Sequence, residues 1–241
     1  MDFRDELASA AAAYGLSLRD AQLAQFQKYY ELLISWNEKM NLTAITEPRE
    51  VAVKHIVDSL SAYDAALFGD GAPVIDVGTG AGFPGIPLKI LRPDLRLTLL
   101  DSLQKRVGFL REVVSALGLA QTECVHARAE EAARQKTYRE RFDVAVSRAV
   151  ARLAVLAEYT LPFVRLGGSF LALKGAKYRE ETQEAGAALK LLGGGLPEIR
   201  PVKLPGLDDA RAIVRIEKLR PTPAAYPRKA GTPEKKPLGV K

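Results

Sequence analysis

A glycine-rich turn after an apolar segment is the part of this sequence best suited to chemistry. Residues 74–85 read Val-Ile-Asp-Val-Gly-Thr-Gly-Ala-Gly-Phe-Pro-Gly, with glycines at positions 78, 80 and 82 and Asp76 just before them. Glycines allow the backbone to turn with positive φ and to approach a ligand closely. A strand that leads into such a turn predicts a loop for a nucleotide-like cofactor, although a turn that merely favours glycine stays an alternative.

The glycine spacing separates two classes of cofactor. A dinucleotide loop, G-x-G-x-x-G, would place its third glycine where this chain has Phe83. The turn instead resembles that of Rossmann-like S-adenosylmethionine-dependent methyltransferases, whose glycines approach a cofactor that has no phosphate. We therefore expect S-adenosylmethionine to bind here, against Asp76, Gly78, Gly80 and Phe83.

An acidic residue at the end of the next strand supports the same interpretation. Residues 96–100 form an apolar strand that ends on Asp101, where nucleotide-binding α/β folds place a carboxylate for the ribose hydroxyls. Ser102 and Leu103 then lead into a helix with apolar residues at helical spacing. The order strand, turn, helix, strand, acid, helix predicts an α/β fold with a parallel sheet.

The elements that position these residues fall into three predicted parts. Residues 1–70 are predicted to be a helical extension, residues 71–219 a Rossmann-like methyltransferase domain, and residues 220–241 a basic, proline-rich tail. Seven strands, with helices on both faces of a mostly parallel sheet, are predicted near residues 74–77, 96–101, 122–126, 142–147, 168–174, 199–204 and 211–218.

Two helices are predicted in the extension. Ser17 is the expected cap of a first amphipathic helix that runs to about Met40. A second helix follows Glu47, because Pro48 suits a first helical turn. This second helix carries His55, for which two interpretations stay open: a packed histidine that orients the helix, or one that meets substrate at the mouth of the site with Lys54 and Asn41.

Further candidates follow the third, fourth and fifth strands, because ligands of open α/β sheets lie at the carboxyl ends of the strands. Glu130, after Ala129, could flank adenine or ribose, or could simply begin a solvated helix. Arg148 could meet the cofactor carboxylate or an RNA phosphate with its planar fork, and Lys174 ends its strand in the same way. The alternative for both is a surface cation.

Composition narrows the class of protein. The 241 residues contain one cysteine and two histidines, which predicts no disulfide and no metal site. The acidic N-terminus and the absence of an 18-residue apolar stretch predict a cytoplasmic protein without a membrane span. Nothing in the composition suggests more than a monomer.

The net charge of +6 is concentrated at the C-terminus. Residues 218–241 contain seven basic residues and one acidic residue, which accounts for the whole net charge. Five prolines in this segment predict an extended chain without its own core. Such a segment suits a phosphate backbone, and a solvated tail that only aids solubility is the alternative.

The absence of two motifs narrows the range of atoms that the protein could methylate. An Asn/Asp-Pro-Pro-aromatic turn after the fourth strand would suit methylation of an exocyclic amine, but residues 147–150 read Ser-Arg-Ala-Val. Methylation of pyrimidine carbon 5 needs a cysteine nucleophile, whereas Cys124 lies within the third predicted strand. A ring nitrogen with a lone pair, such as guanine N7, needs only positioning.

Taken together, the motifs closely resemble those of the glucose-inhibited division protein B family, the 16S ribosomal RNA guanine-N7 methyltransferases also called RsmG. The resemblance spans nearly the whole chain and rests on residues 41–45, 53–60, 76–89, 100–107, 127–131, 147–150, 173–175 and 226–238. It implies a class I methyltransferase fold and transfer from S-adenosylmethionine to one guanine N7, with the small ribosomal subunit as partner. It also implies the cofactor residues Gly78, Phe83, Asp101, Ser102, Leu103, Ala129, Glu130 and Arg148.

The implied reaction requires no general base, so Arg148, His55, Asn41 and Lys174 are candidates for positioning the substrate. The candidates for RNA phosphate contacts are Lys54, Lys105, Arg106, Arg228, Lys229, Lys235 and Lys236. Other classes stay open at this stage: a methyltransferase acting on another RNA, a protein or a small molecule, a nicotinamide dehydrogenase, and a non-catalytic ribosome-binding module.

Overall fold

The computed structural model describes residues 2–239 and is organised around one seven-stranded sheet. The strands are β1 (Pro73–Val77), β2 (Arg96–Asp101), β3 (Thr122–His126), β4 (Phe142–Arg148), β5 (Val164–Lys174), β6 (Glu198–Val202) and β7 (Arg211–Glu217). Their order is β3-β2-β1-β4-β5-β7-β6, and only β7 runs antiparallel to its neighbours. The seven predicted strands are confirmed, although β5 begins four residues earlier than predicted, at Val164.

Helices cover both faces of this sheet. On the first face, alternate strand residues such as Val74 and Val146 pack against the N-terminal helices, α5 (Gly85–Leu91) and α6 (Gln104–Ala116). On the second face, Ile75 and Ala145 pack against α8 (Leu153–Thr160), α9 (Tyr178–Glu184) and α10 (Gly186–Leu192). Because both faces are covered, β1 and β4 are nearly continuous apolar segments, as parallel strands of this class are.

The N-terminal extension is helical, as predicted, and shares the first core with the sheet. It consists of α1 (Phe3–Ala13), α2 (Asp20–Asn37), α3 (Pro48–Val51), a π-helical turn (Ala52–Val57) and α4 (Asp58–Leu60). The predicted cap Ser17 is wrong, because α2 begins at Asp20 with Arg19 as its N-cap, whose backbone N–H donates to the Gln22 side chain (2.9 Å). Pro48 does open the second helical segment, as predicted.

The C-terminal segment departs most from the prediction of an extended tail. It packs against α7 (Ala129–Ala132) and α8, contains the short helix α11 (Thr232–Lys235), and buries Thr222, Pro227 and Pro233. Arginine side chains of the main domain hold its carbonyl groups, so proline content alone did not make it an unpacked chain. The three-part division at residues 70 and 219 stays a prediction. Lys241, which adds to the charge of this segment, lies outside the described residues.

Across residues 2–239 no helix is long and apolar enough to cross a membrane. The same residues contain no group of three or more histidine, cysteine or acidic side chains placed to hold a metal ion.

Candidate active site

The buried carboxylate of Asp76 holds the glycine loop by hydrogen bonds. The Asp76 side chain is fully buried at the end of β1, and its Oδ2 atom accepts hydrogen bonds from Thr79 Oγ1 (2.7 Å) and the Gly85 backbone N–H (2.7 Å). Burial raises the pKa of Asp76 to about 7, against the opposite effect of these two hydrogen bonds. Asp76 therefore fixes the path of the loop. Its predicted contact with the cofactor stays a prediction, since its buried Oδ1 atom has no hydrogen-bond partner among the described residues.

The glycines of the loop serve different purposes. Gly78, Gly80 and Gly82 all have positive φ, of 70°, 61° and 98°. A Cβ atom at Gly82 would collide with Ile86 and lie 2.8 Å from the Tyr29 hydroxyl oxygen, so this glycine is required by packing. A Cβ atom at Gly80 would have no protein atom within 4 Å. Gly80 therefore faces open space large enough for a ligand to approach the backbone.

Asp101 is joined to this loop, as the sequence predicts. Pairing of β1 with β2 brings the two strand ends together, and Asp101 Oδ2 accepts a hydrogen bond from the Gly80 N–H (2.9 Å). Its Oδ1 accepts from the Leu103 N–H (2.9 Å), and Arg106 Nη1 lies 3.6 Å from Oδ2. A carboxylate has about four acceptor positions, so Asp101 retains capacity for ribose hydroxyls.

Tyr29 of α2 holds the loop from the side of the N-terminal extension. Its hydroxyl donates to the Ala81 carbonyl oxygen, and its ring lies 5.4 Å from that of Phe83. Burial raises the pKa of Tyr29 well above its ordinary value, so the hydroxyl stays a donor. Tyr29 was not among the predicted site residues. The available signal was a tyrosine on the apolar face of α2, because a buried tyrosine hydroxyl needs a partner.

Arg148, at the end of β4, is the centre of a cluster beside the loop. Its guanidinium lies over the Phe83 ring (4.8 Å), pairs with Asp58 Oδ2 (3.1 Å) and donates to the Lys54 carbonyl oxygen (3.0 Å). Its Nη2 atom lies 3.3 Å from His55 Nδ1. The π-helical turn that contains Lys54 and His55 places all these groups around one arginine, and such turns often occur at functional sites.

Both ring nitrogens of His55 lie within hydrogen-bond distance of polar neighbours. Nδ1 is 3.3 Å from Arg148 Nη2 and 3.2 Å from the Lys54 carbonyl oxygen, and Nε2 is 2.8 Å from Thr43 Oγ1. Burial, and then the Arg148 charge, lower the pKa of His55 to about 3. The ring also packs on Phe83 (4.6 Å). Both nitrogens of a neutral His55 are thus occupied, which supports the interpretation of an orienting residue.

Asp58 links this cluster to β7 and was not among the predicted site residues. Its two carboxylate oxygens pair with Arg148 (3.1 Å) and with Arg211 at the start of β7 (3.2 Å). One buried carboxylate thus fixes two arginines from β4 and β7, the strands on either side of β5. Its position one helical turn after His55 was the signal in the sequence that could have identified it.

Asn41, which was predicted to help position the substrate, is exposed.

Three cavities meet around residues 148–151. The loop cavity, of about 180 Å³, is lined by Thr43, Gly78, Gly80, Phe83, Arg106 and Arg148 among others. The α7 cavity, of about 200 Å³, is lined by Gly78, Asp101, Ser102, Ala129, Glu130 and Val150 among others. The β4–β7 cavity, of about 540 Å³, is lined by Lys54, His55, Asp58, Arg148, Lys174 and Arg211 among others.

The shared lining residues show that these cavities adjoin one another. Gly78 borders both the loop cavity and the α7 cavity, and Val150 borders both the α7 cavity and the β4–β7 cavity. Lys174 holds this junction, because its ammonium donates to the Ala151 carbonyl oxygen (2.7 Å) and pairs with Glu181 (2.6 Å). The structure therefore brings the predicted residues Gly78, Gly80, Phe83, Arg148 and Lys174 to three adjoining cavities.

The predicted RNA-binding residues are more dispersed. Lys105, Lys229, Lys235 and Lys236 are exposed, Lys54 pairs with Glu50, and Arg106 lies at the loop cavity beside Asp101. Arg228 is engaged elsewhere: its Nη2 and Nε atoms pair with the two oxygens of Glu158, a carboxylate with no exposed surface. The guanidinium of Arg228 thus neutralises a buried charge, and its predicted contact with RNA stays a prediction.

Sequence comparison gives a consistent result along nearly the whole chain. Residues 22–204 match the family model GidB, described as rRNA small subunit methyltransferase G. Ribosomal RNA small subunit methyltransferase G of Exiguobacterium sibiricum is 52% identical over 236 residues, which cover 98% of this chain and 99% of the relative. The protein of the same name from Desulforamulus reducens is 49% identical, over 98% of this chain and 99% of its own.

Comparison with solved structures identifies the fold. The chain resembles M. jannaschii TYW2 in complex with AdoMet, with a TM-score of 0.53, 14% identity and coverage of 68% of this chain and 76% of that one. It also resembles precorrin-6y C5,15-methyltransferase from Geobacter metallireducens, with a TM-score of 0.51, 19% identity and coverage of 74% and 91%. The predicted class I methyltransferase fold is confirmed.

Proposed function

Because the chain belongs to the GidB family, rRNA small subunit methyltransferase G, we propose that it transfers a methyl group from S-adenosylmethionine to N7 of one guanine in 16S ribosomal RNA. The observation that carries this proposal is that three cavities adjoin one another around residues 148–151. Two of them surround the glycine loop and Asp101, and the third, of about 540 Å³, opens from the same junction at residues 148–151. A methyl donor and a nucleotide acceptor would therefore meet at Arg148 and Val150.

The residues around the first two cavities fit the donor. Gly80 has open space in the direction of its missing Cβ atom, and Asp101 has acceptor capacity beside it. Ser102, Ala129 and Glu130 would hold the adenosine portion in the α7 cavity, and Gly78, Phe83 and Arg106 would surround the methionine portion. Leu103 is exposed and does not line the α7 cavity, so its predicted cofactor contact stays a prediction. When bound, S-adenosylmethionine supplies an electrophilic methyl group on a sulfonium centre.

The protein's own contribution to the reaction is placement. Guanine N7 carries a free lone pair, so no group has to remove a proton, and neutral His55 has both nitrogens engaged. Alignment of two reactants can supply about 7–11 kcal/mol of barrier reduction in favourable cases. Arg148 is well suited to this role, since Asp58, the Lys54 carbonyl group and the Phe83 ring restrain its guanidinium at the junction.

The target guanine would have to leave its helix. In A-form RNA the major groove, where N7 lies, is too deep and narrow for side chains to enter. The β4–β7 cavity is large enough for one nucleotide and is bordered by Lys54, Lys174 and Arg211. We therefore propose that a splayed guanosine occupies this cavity, with the exposed Lys105, Lys229, Lys235 and Lys236 holding neighbouring phosphates.

One set of incubations tests the proposed substrate. Methyl-labelled S-adenosylmethionine is mixed with the protein and with small ribosomal subunits, naked 16S RNA, an unrelated RNA or a protein extract. The proposal predicts that label enters 16S RNA and is recovered as 7-methylguanosine. Label in protein, in small molecules or equally in the unrelated RNA would contradict it, and no transfer despite donor binding would indicate a non-catalytic module.

The small ribosomal subunit is the proposed partner, and the cytoplasm the proposed compartment, because 16S RNA is assembled there. A monomer is the proposed state, with a mass of 26.2 kDa. Light scattering on the purified protein tests it, and a mass of about twice this value would contradict it.

A further inference from the structure

The C-terminal segment is tightly held by the methyltransferase domain. Here residues 220–239 are called the C-terminal strap. Arg139 donates to the Thr222 carbonyl oxygen (2.8 Å) and the Tyr226 carbonyl oxygen (3.0 Å), and Arg134 donates to that of Ala225 (3.2 Å). These contacts occupy backbone carbonyl groups of the strap, so they fix its course irrespective of its side chains.

A buried ion pair fastens the middle of the strap to α8. Glu158 has no exposed surface, and Arg228 meets it with Nε (2.9 Å to Oε1), Nη2 (2.6 Å to Oε2) and its backbone N–H (2.7 Å to Oε1). A buried carboxylate without its partner is strongly unfavourable. The strap therefore lies on α8 as part of the folded protein, which differs from a solvated tail.

Beyond this ion pair the strap reaches the α7 cavity. The Gly231 N–H donates to Glu130 Oε1 (2.9 Å), and Glu130 itself is buried at the start of α7. Gly231 and Glu234 line the α7 cavity together with Gly78, Asp101 and Glu130. Tyr159 lies at the same place, and its pKa is raised to about 12 by burial and then by the nearby carboxylates of Glu130 and Glu234.

We propose that the C-terminal strap is the outer wall of the adenosine end of the methyl-donor site, that Gly231 orients Glu130 there, and that Glu234 accepts a hydrogen bond from the bound adenosine. This inference rests on the proposed function, because it takes the α7 cavity to hold the adenosine portion of S-adenosylmethionine. Adenine carries an exocyclic amine with two N–H donors, and carboxylates are acceptors only. Two of the carboxylates that line the cavity, Glu130 from α7 and Glu234 from the strap, suit this group.

The rate at which trypsin cleaves the strap tests whether the strap forms the wall of the donor site. The bonds Lys229–Ala230 and Lys235–Lys236 lie in the strap, and the Arg165–Leu166 bond, at the opposite end of β5 from the cavity, is the internal reference. Saturating S-adenosylmethionine or S-adenosylhomocysteine should slow cleavage of the two strap bonds severalfold relative to the reference. A solvated tail would be cleaved at the same rate with and without either ligand.

Calorimetric affinity tests Glu234. Glu234 is exposed, so Glu234→Ala should fold normally, and Glu131→Ala removes an exposed carboxylate from α7 that does not line the cavity. Loss of one hydrogen bond to the adenosine should weaken S-adenosylmethionine binding about fivefold in Glu234→Ala. Glu131→Ala should stay within about twofold of the parent, because it loses no such contact.

The outcomes separate this inference from the proposed function. If the parent protein binds neither S-adenosylmethionine nor S-adenosylhomocysteine, the proposed function fails and the inference fails with it. If the parent protein binds, but strap cleavage is unchanged or Glu234→Ala binds as tightly as Glu131→Ala, the inference alone is overturned and the proposed function stands.

Discussion

Gly80→Ala gives a direct test of the donor site, because a matched control exists elsewhere in the chain. Gly80 and Gly118 both have a φ of 61°, and a Cβ atom at either would meet no protein atom within 4 Å. Gly80 lines the loop cavity beside Asp101, whereas Gly118 lies in the turn after α6. The two substitutions therefore impose the same backbone strain and differ in what occupies the space around the new methyl group.

The expected magnitudes follow from these facts. A residue with a Cβ atom in the left-handed region costs about 1–2 kcal/mol. For a chain of this size each kcal/mol lowers the Tm by about 2–4 °C, so both variants should lose about 2–8 °C. Only Gly80→Ala should place its methyl group against S-adenosylmethionine. A loss of at least about 1.4 kcal/mol of binding energy is expected there, which corresponds to a tenfold weaker affinity.

Thermal unfolding and calorimetric titration with S-adenosylmethionine measure the two quantities on the same samples. The expected pattern is a similar fall in Tm for both variants and weak binding for Gly80→Ala alone. Equal affinities in the two variants would refute the assignment of the loop cavity to the donor. A much larger fall in Tm for Gly80→Ala would refute the claim that the space beside it is open in the protein.

Three further predictions concern Asp76, Arg148 and the lysines of the C-terminal strap. The unfolded chain loses the Asp76 proton near pH 3.8, whereas the folded protein keeps it to about pH 7, so the stability contributed by this group falls as pH rises through that window. Asp76→Asn should therefore gain stability relative to the parent between pH 4.5 and 7.5 in urea unfolding, and a constant difference would contradict this. Arg148→Lys keeps the charge but loses the simultaneous contacts with Asp58 and the Lys54 carbonyl oxygen. The rate of methyl transfer should therefore fall at least about tenfold. Full activity would show that the planar guanidinium of Arg148 is not needed. Replacing Lys235 and Lys236 together by alanine should reduce the slope of log K for RNA binding against log salt concentration by about 1.4. The control Lys190→Ala, on α10, should leave this slope unchanged. Equal slopes in the parent protein, the double variant and the control would show that Lys235 and Lys236 do not contact RNA.

Local pattern was sufficient to predict the sheet and the loop. Apolar strands followed by a glycine turn and an acid are determined by neighbours in sequence, and β1, β2, the turn at residues 78–82 and Asp101 lie as predicted. The role of Asp76 in fixing the loop was not predicted, because its sequence position does not reveal that both the Thr79 hydroxyl and the Gly85 N–H bind the same carboxylate oxygen.

Contacts between distant segments could not be predicted in this way. Tyr29 contacts the loop 52 positions later in the chain, and Arg228 pairs with Glu158 at a separation of 70 positions. A basic, proline-rich composition is typical of solvated tails, and the sequence does not show that the buried Glu158 and the side chains of Arg134 and Arg139 hold this one against the domain. The link from Asp58 to Arg211 is of the same kind, since it forms only when β7 is inserted beside β5.

The central claim is that this chain methylates N7 of one guanine in 16S ribosomal RNA. Borohydride reduction followed by aniline treatment cleaves RNA at 7-methylguanosine, so scission of 16S RNA after incubation of unmodified small subunits with the protein and S-adenosylmethionine is the most direct measurement. We expect one new scission site, which requires both the protein and S-adenosylmethionine. This site should be lost or strongly reduced with Gly80→Ala but retained with Gly118→Ala. Label incorporated into 16S RNA without any new scission site would contradict it, because the methyl group would then be on another atom.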